Sequence, residues 1–468
     1  MGSALRIPGP ELCEDGGVGA ISAAGGLHLY QLRLHAEYGS VVRFQLPGAG
    51  VAVSVSDPLL LEDTARIDER PAPLFAFLEP LCEAGNLQVI GAEEHGPWRR
   101  VLLEVFAGRP SHERHFGEFV ALVEALADRW ERGSAESVSP VFLQKDLTAL
   151  SLRMICAYAL GGTDDGVVEP EKVVDAFEVV LTEYLGRTYR AEEGEADEAD
   201  EGMKRAELAL SYLRDTVDRV VAAHGDAPQS DRSGRDDRSD RSDLIRALLA
   251  AGTSPARIRD TVMVTMLAAH HTTGVAVSWT LHLLGRHPEV AERVAEELDR
   301  VLGDRSAPDY GDLRRLTYLD MVLKESMRLY PPGPYGARET TEDMVLGADG
   351  EYEIPVGTTV FYPFWAVHMN PDHWPEPERF VPERFTPEAV AERPRLAHIP
   401  FGIGSRSCEG AGLAMVEAQL MLAVLLKRFR FRAVEGHEVT PVERFVLWAA
   451  EDIPMTVTPR AGGRGPNG

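Results

Sequence analysis

The stretch Phe401-Gly-Ile-Gly-Ser-Arg406-Ser-Cys408-Glu-Gly410, running straight into a helical pattern from about Ala411, decides how this chain is read. A lone cysteine that must stay ionised needs backbone N–H groups and a helix N-terminus aimed at its sulfur. Gly402, Gly404 and Gly410 free the backbone to supply them. Two other readings of Cys408 stay open. One is a buried structural thiol, for which glycines at these spacings have no purpose. The other is a zinc or iron–sulfur ligand, disfavoured because Cys13, Cys82 and Cys156 lie far apart with no Cys-x-x-Cys pair.

Working outward, 468 residues with 44% apolar composition suffice for a large buried core. Four scattered cysteines point to a reducing compartment. No apolar run approaches the roughly twenty residues of a membrane span, and no basic-then-hydrophobic leader opens the chain, so a cytoplasmic protein without a membrane anchor is expected. A formal charge of −26 argues against nucleic acid as a partner, since phosphate binding needs a basic face.

Leu27 to Tyr38 reads as a helix, followed by two strands, 40–46 and 50–55, turning at Pro47-Gly48. From Asp57 helical patterns dominate: about Glu113 to Arg132, Phe142 to Leu160, Val173 to Tyr189, Met203 to His224 and Asp243 to Ala251. Ile258 to Arg286 is too apolar for a surface helix and is expected to cross the core. Tyr310 to Tyr330 holds two more helical patterns, and Tyr352 to Phe364 alternates as short strands. Residues 191–202 and 225–242 are acidic or Asp-Arg-Ser-rich and read as flexible loops. Residues 1–26 and 460–468 read as flexible tails. The whole, 1–468, reads as one mainly α domain with small β-sheets.

Three further segments add to the cysteine loop. Glu325 and Arg328 are three apart and share one helix face. Arg384 sits in Phe380-Val-Pro-Glu-Arg384-Phe385. The apolar helix carries Ala268-Ala269-His270-His271-Thr272-Thr273-Gly274. With Phe, two residues, Gly, three residues, Cys, one residue, Gly, and an Arg two before the Cys, the chain resembles the cytochrome P-450 (CYP) superfamily over about Tyr30 to Pro454.

That resemblance implies a haem b (iron protoporphyrin IX) between the long helix and the cysteine loop, with Cys408 as the metal ligand. Phe401, Gly402, Gly404, Gly410 and Ala269 would surround it. Arg406, His95, Arg99 and Arg338 would meet its propionates, because two carboxylates entering a buried pocket need cationic donors. Glu325, Arg328 and Arg384 would form a buried structural triad. A thiolate opposite the open iron position favours O–O cleavage over reversible oxygen binding.

On the long helix the superfamily pattern is small residue, Gly, any, acid, Thr, then Thr or Ser. Here Ala269 replaces the Gly and His271 the acid, a departure similar to the sterol-demethylase branch. Thr272 either bonds back to its own helix or organises proton delivery to oxygen. His271 either relays protons or packs. The pair His270-His271 is no metal site, because neighbours on a helix point about 100° apart.

The fold's usual lining suggests Phe75, Phe77, Met263, Met266, Leu267, Ala268, Pro334, Leu447 and Trp448 against an apolar substrate, each equally readable as core. The implied activity is a haem-thiolate monooxygenase acting on an apolar natural product, terpenoid or sterol-like molecule. Non-inserting coupling or desaturation is the alternative, and a haem-binding sensor the non-enzymatic one. With no fused reductase stretch in the sequence, electrons would come from a separate ferredoxin or flavodoxin with an NAD(P)H reductase. Arg99, Arg100, Arg109, Lys427 and Arg428 are expected to include the docking patch, and a monomer is expected.

Overall fold

The structure is a computed structural model, and it describes residues 6–136, 140–161, 169–189, 196–225, 243–347, 350–444 and 446–460. Its axis is the helix Pro255–Arg286. Ser254 starts it by accepting a hydrogen bond from the Arg257 N–H, and Pro255 occupies the first turn, where a missing N–H costs nothing. Val262, Met263, Met266, Val275, Val277, Trp279 and Leu281 are all fully buried, so the helix is apolar around its circumference and runs through the interior. The helix Leu143–Leu160 lies along it. Gly274 makes that approach possible, because a Cβ there would stand 2.7 Å from the Leu147 carbonyl oxygen.

The helices Arg109–Glu136, Thr317–Leu329 and Ala411–Arg428 complete the body. The helix Pro288–Leu302, missing from the sequence reading, packs beside them with Val290, Val294, Leu298 and Val301 turned inward.

A four-stranded sheet stands apart from this bundle. The expected hairpin forms as Val41–Leu46 against Gly50–Val55, in register from Val41↔Val55 to Leu46↔Gly50. Gly50–Val55 pairs in parallel with Thr359–Tyr362, which pairs antiparallel with Gly336–Glu339. That last pairing sets Arg338 opposite Val360 and fixes where its side chain emerges. A second sheet joins Val141–Phe142, Pro454–Pro459 and Phe429–Ala433, and a hairpin pairs Pro441–Arg444 with Val446–Ala449.

Two sequence expectations need correction. Within the expected 1–26 tail, Ile7 is buried, the Arg43 N–H donates to the Pro8 carbonyl, and Val18–Ala24 is a helix. The loop expected over 191–202 is helical from Ala196, as part of Ala196–Gly225. The rest of that loop, most of the second one, and residues 461–468 lie outside the described residues. Arg460 itself donates to the Leu426 carbonyl and pairs with Asp299.

Candidate functional site

A cavity of about 390 Å³ lies between the core helix and the cysteine loop. Its wall from the core helix is one face, with Thr261, Val264, Thr265, Ala268, Thr272 and Ala276 recurring at helical spacing. Opposite are Phe401, Gly402, Arg406, Cys408 and Gly410, then Ala414 and Glu417 of the helix Ala411–Arg428.

The loop's glycines have separate reasons. Gly402 and Gly404 hold positive φ angles of 73° and 67°, and a Cβ on Gly404 would collide with the Ala65 carbonyl oxygen. The Cys408 N–H donates to the Phe401 carbonyl at 2.8 Å, closing the loop so that the sulfur faces the cavity. Open to the cavity, the thiol is still shut in by protein. Burial, with Glu409 beside it, pushes its pKa up to about 12, and the Gly410 N–H only partly opposes this. Without a cation the loop's N–H group does not outweigh that rise. A bound cation would, since a coordinating thiol loses its proton outright.

Three guanidinium groups, Arg70, Arg338 and Arg406, meet on one cavity wall. Burial and the nearby Arg338 and Arg406 pull the pKa of Arg70 down to about 9, and its Nε has no partner. Arg338 is 5% exposed and bonds only to the neighbouring Ala337 carbonyl among the described contacts, with Tyr362 under its guanidinium. Buried cations that repel each other and keep spare donors are what a buried dicarboxylate requires, so these residues fit the two propionates of a haem.

Other expected propionate contacts are placed differently. Arg406 lines the cavity, but all three of its nitrogens already donate, to Asp68, Leu87 and Ile90. His95 sits 3.2 Å from Asp68 without hydrogen-bond geometry, and burial with Arg406 nearby lowers its pKa to about 4. Arg99 bonds to the Ser407 carbonyl and hydroxyl and to Glu409, bracing the cysteine loop from behind. Neither His95 nor Arg99 lines the cavity. Arg70 was missed in the sequence because it belongs to no motif there.

The triad is assembled as expected. Glu325 and Arg328 are fully buried and paired through two bonds of 2.7 and 2.8 Å, and Arg384 approaches Glu325 at 3.4 Å. Arg328 also donates to the His368 and Pro377 carbonyls. Burial raises the pKa of Glu325, and its bonds from Arg328 oppose the rise. Removing one partner of such a pair costs roughly 3–5 kcal/mol, because the other charge is stranded.

A family profile described as Cytochrome P450 matches residues 16–456. The chain belongs to the cytochrome P450 family. Its cofactor is accordingly a haem held by a cysteine thiolate. A cyclooctat-9-en-7-ol 5-monooxygenase of Streptomyces melanosporofaciens is 31% identical over 75% of this chain and 73% of its own length. Cytochrome P450 4c3 of Drosophila melanogaster is 36% identical over 55% of this chain, and the match spans 48% of that protein. The haem domain of cytochrome P450DA shares the fold, with a TM-score of 0.83 at 24% identity over 98% of this chain and 99% of that one.

On the core-helix wall, Thr272 lines the cavity and its hydroxyl donates to the Ala268 carbonyl at 2.8 Å. Ala269 also lines it. His271 does not. Its ring lies edge-on to Trp448 at 5.0 Å and stacks on His270 at 4.0 Å, and burial lowers its pKa to about 4. The packing alternative therefore describes its position, away from the cavity wall. Among the expected lining residues, Phe75, Leu267 and Ala268 are in place. Met263, Met266, Leu447, Pro334 and Trp448 are not, and the Phe77 side chain lies outside those described. Met263 and Met266 fall on the wrong phase of the helix, which instead presents Thr261, Val264 and Thr265. Tyr335, one residue past Pro334, lines the cavity and donates to Glu443.

The expected docking patch is mostly neutralised. Arg99 pairs with Glu409, Arg109 with Glu113, Lys427 with Asp299, and Arg428 with Asp128 and Glu131. Arg100 alone of the five has no ion pair among the described residues. No helix of the described residues is long and apolar enough to cross a membrane.

Proposed function

We propose that the chain is a monooxygenase that oxidises, most readily by hydroxylation, an apolar small molecule of terpenoid or sterol type, taking electrons from a separate ferredoxin or flavodoxin and its reductase. The observation that carries this is the cavity itself, with the Cys408 sulfur on one wall, Thr272 on the facing one, and mostly apolar residues between. A bound haem would supply the oxygen chemistry and the electron relay. Cys408 would ligate it, and Arg70 and Arg338 would neutralise its carboxylates. Phe75, Leu78, Leu87, Val264 and Ala268 would exclude water and pose the substrate, while Gln88 and Thr265 offer the few polar contacts that orient it. Thr272 would hold a proton donor near the oxygen. The terpenoid preference draws support from the Streptomyces relative named for a cyclooctatenol substrate.

The test is a titration of the haem-loaded protein with geraniol, farnesol, geranylgeraniol and progesterone, following the haem absorption as water leaves the iron. At least one should shift the band at micromolar concentration, and turnover under ¹⁸O₂ should label the product. No shift with any of the four overturns the substrate class. A shift followed by unlabelled product replaces oxygen insertion with coupling or desaturation.

A further inference from the structure

Tyr335 is the single tyrosine among the residues that line the cavity, yet its hydroxyl is tied outside it, donating to Oε1 of Glu443, which is not a lining residue. The ring is held back against its wall. Its edge meets Phe361, with ring centroids 5.6 Å apart. The other oxygen of the Glu443 carboxylate is fixed by the helix Leu27–Tyr38. Oε2 accepts from the His28 backbone N–H at 3.3 Å and lies 3.0 Å from His28 Nδ1, which carries the proton because a carboxylate only accepts. Gly26 gives this helix no side-chain cap, so Glu443 supplies from 415 residues away what a capping residue ordinarily does. Gly26 is itself required, with a φ of 121° and a Cβ position only 2.9 Å from the His28 ring.

His28 has little freedom of its own. It is 1% exposed, its ring stacks on Trp365 at 5.5 Å with the planes 5° apart, and its Nε2 is unpartnered, so Glu443 is the one hydrogen-bonding partner of the ring among the described residues. The Trp365 N–H in turn donates to the carbonyl of Pro334, the residue before Tyr335. The contacts close a circle. Glu443 sits on the strand Pro441–Arg444 opposite Leu447, whose N–H donates to the Pro332 carbonyl and whose own carbonyl accepts from Trp279 of the core helix. No lysine or arginine pairs with Glu443 among the described residues, so its two oxygens serve only Tyr335 and His28 there.

We propose that Glu443, anchored by His28, is a positioning residue for substrate selection: it holds the Tyr335 ring against the wall and so keeps room in the cavity for a bulky apolar molecule. The inference rests on the monooxygenase reading for what that molecule is. Without the tether the ring keeps its apolar area but gains rotamers that swing it into the cavity. Large ligands then compete with it, and small ones do not. The helix Leu27–Tyr38 gives no residue to the cavity wall, and it enters the choice of substrate through this one carboxylate.

The experiment titrates haem-loaded wild type, Tyr335→Phe, Glu443→Leu and the double variant with imidazole and 1-tritylimidazole, a small and a bulky azole whose nitrogen ligates iron whatever the substrate. Haem absorption reports both. Tyr335→Phe and Glu443→Leu should each lower the affinity for the bulky azole relative to the small one by at least about threefold, and the double variant should lower it no further than either alone. A general loosening of the fold would instead weaken both azoles together and add up in the double variant. Progesterone against geraniol should show the same fall. If Glu443→Leu does not fold, His28→Leu takes its place, since it strips the ring's hold on Oε2 from outside the cavity. Wild-type ratios in the single variants, or falls that add in the double variant, overturn the proposal while leaving the monooxygenase reading intact. A wild type that binds both azoles but none of the four substrate candidates sinks the substrate class, and the azole ratios still decide the role of Glu443.

Discussion

Glu417, on the cavity wall and 1% exposed, costs the fold something. Its pKa is about 8 when folded against an ordinary 4.5, so between those values the folded chain binds more protons than the unfolded one. Stability therefore falls as pH climbs from about 4.5 to about 8 and is level above. Glu417→Gln removes that slope. At pH 7 it should stabilise the protein by about 3 kcal/mol, with a gain that grows between pH 5 and 8, measured by urea unfolding. Thr272 belongs to the same scale. Its hydroxyl is spent on the Ala268 carbonyl yet faces the cavity, so Thr272→Ala should leave substrate affinity within about twofold and divert electrons to peroxide. Product per NAD(P)H is the measure, and full coupling in that variant would remove Thr272 from proton delivery.

Among the elements, the cysteine loop is the most tightly specified. Gly404 combines a positive φ with a blocked Cβ position against the segment at Ala65, two independent reasons for glycine. Gly404→Ala should destabilise the protein by more than about 2 kcal/mol and lower haem occupancy, read from the ratio of haem to protein absorbance. This loop, the hairpin 41–55 and the core helix were legible because their signals are local: glycine spacing, two-residue alternation, an unbroken apolar run. Pro288–Leu302 carries an equally local signal, Val290, Val294, Leu298 and Val301 on one face behind a first-turn proline. The sheet of 141–142, 429–433 and 454–459 was not legible, since its pairing brings a two-residue strand to two C-terminal strands some 300 residues away in sequence, a long-range contact that leaves no local signal. Nor was Glu417, which looks like an ordinary surface glutamate until the core helix is packed over it. Arg70 likewise becomes visible only once Arg338 and Arg406 stand beside it.

Taken as a whole, the molecule carries a formal charge of −26, and the cations expected to greet a redox partner are largely matched by acids. Reduction by an acidic ferredoxin should therefore quicken as NaCl is raised from a few millimolar to about 0.2 M, because screening relieves like-charge repulsion. A rate that falls instead would restore the basic docking patch. Arg70, Arg338 and Arg406 give the interior the opposite character, a small positive knot inside a strongly negative shell. Asp68 answers Arg406, but Arg70 and Arg338 have no carboxylate partner among the described residues. Until two carboxylates arrive, the newly made chain must hold that knot together unaided, so maturation in the cell becomes a matter of supply: cultures starved of the tetrapyrrole would lose this protein to proteases sooner than they would lose its messenger.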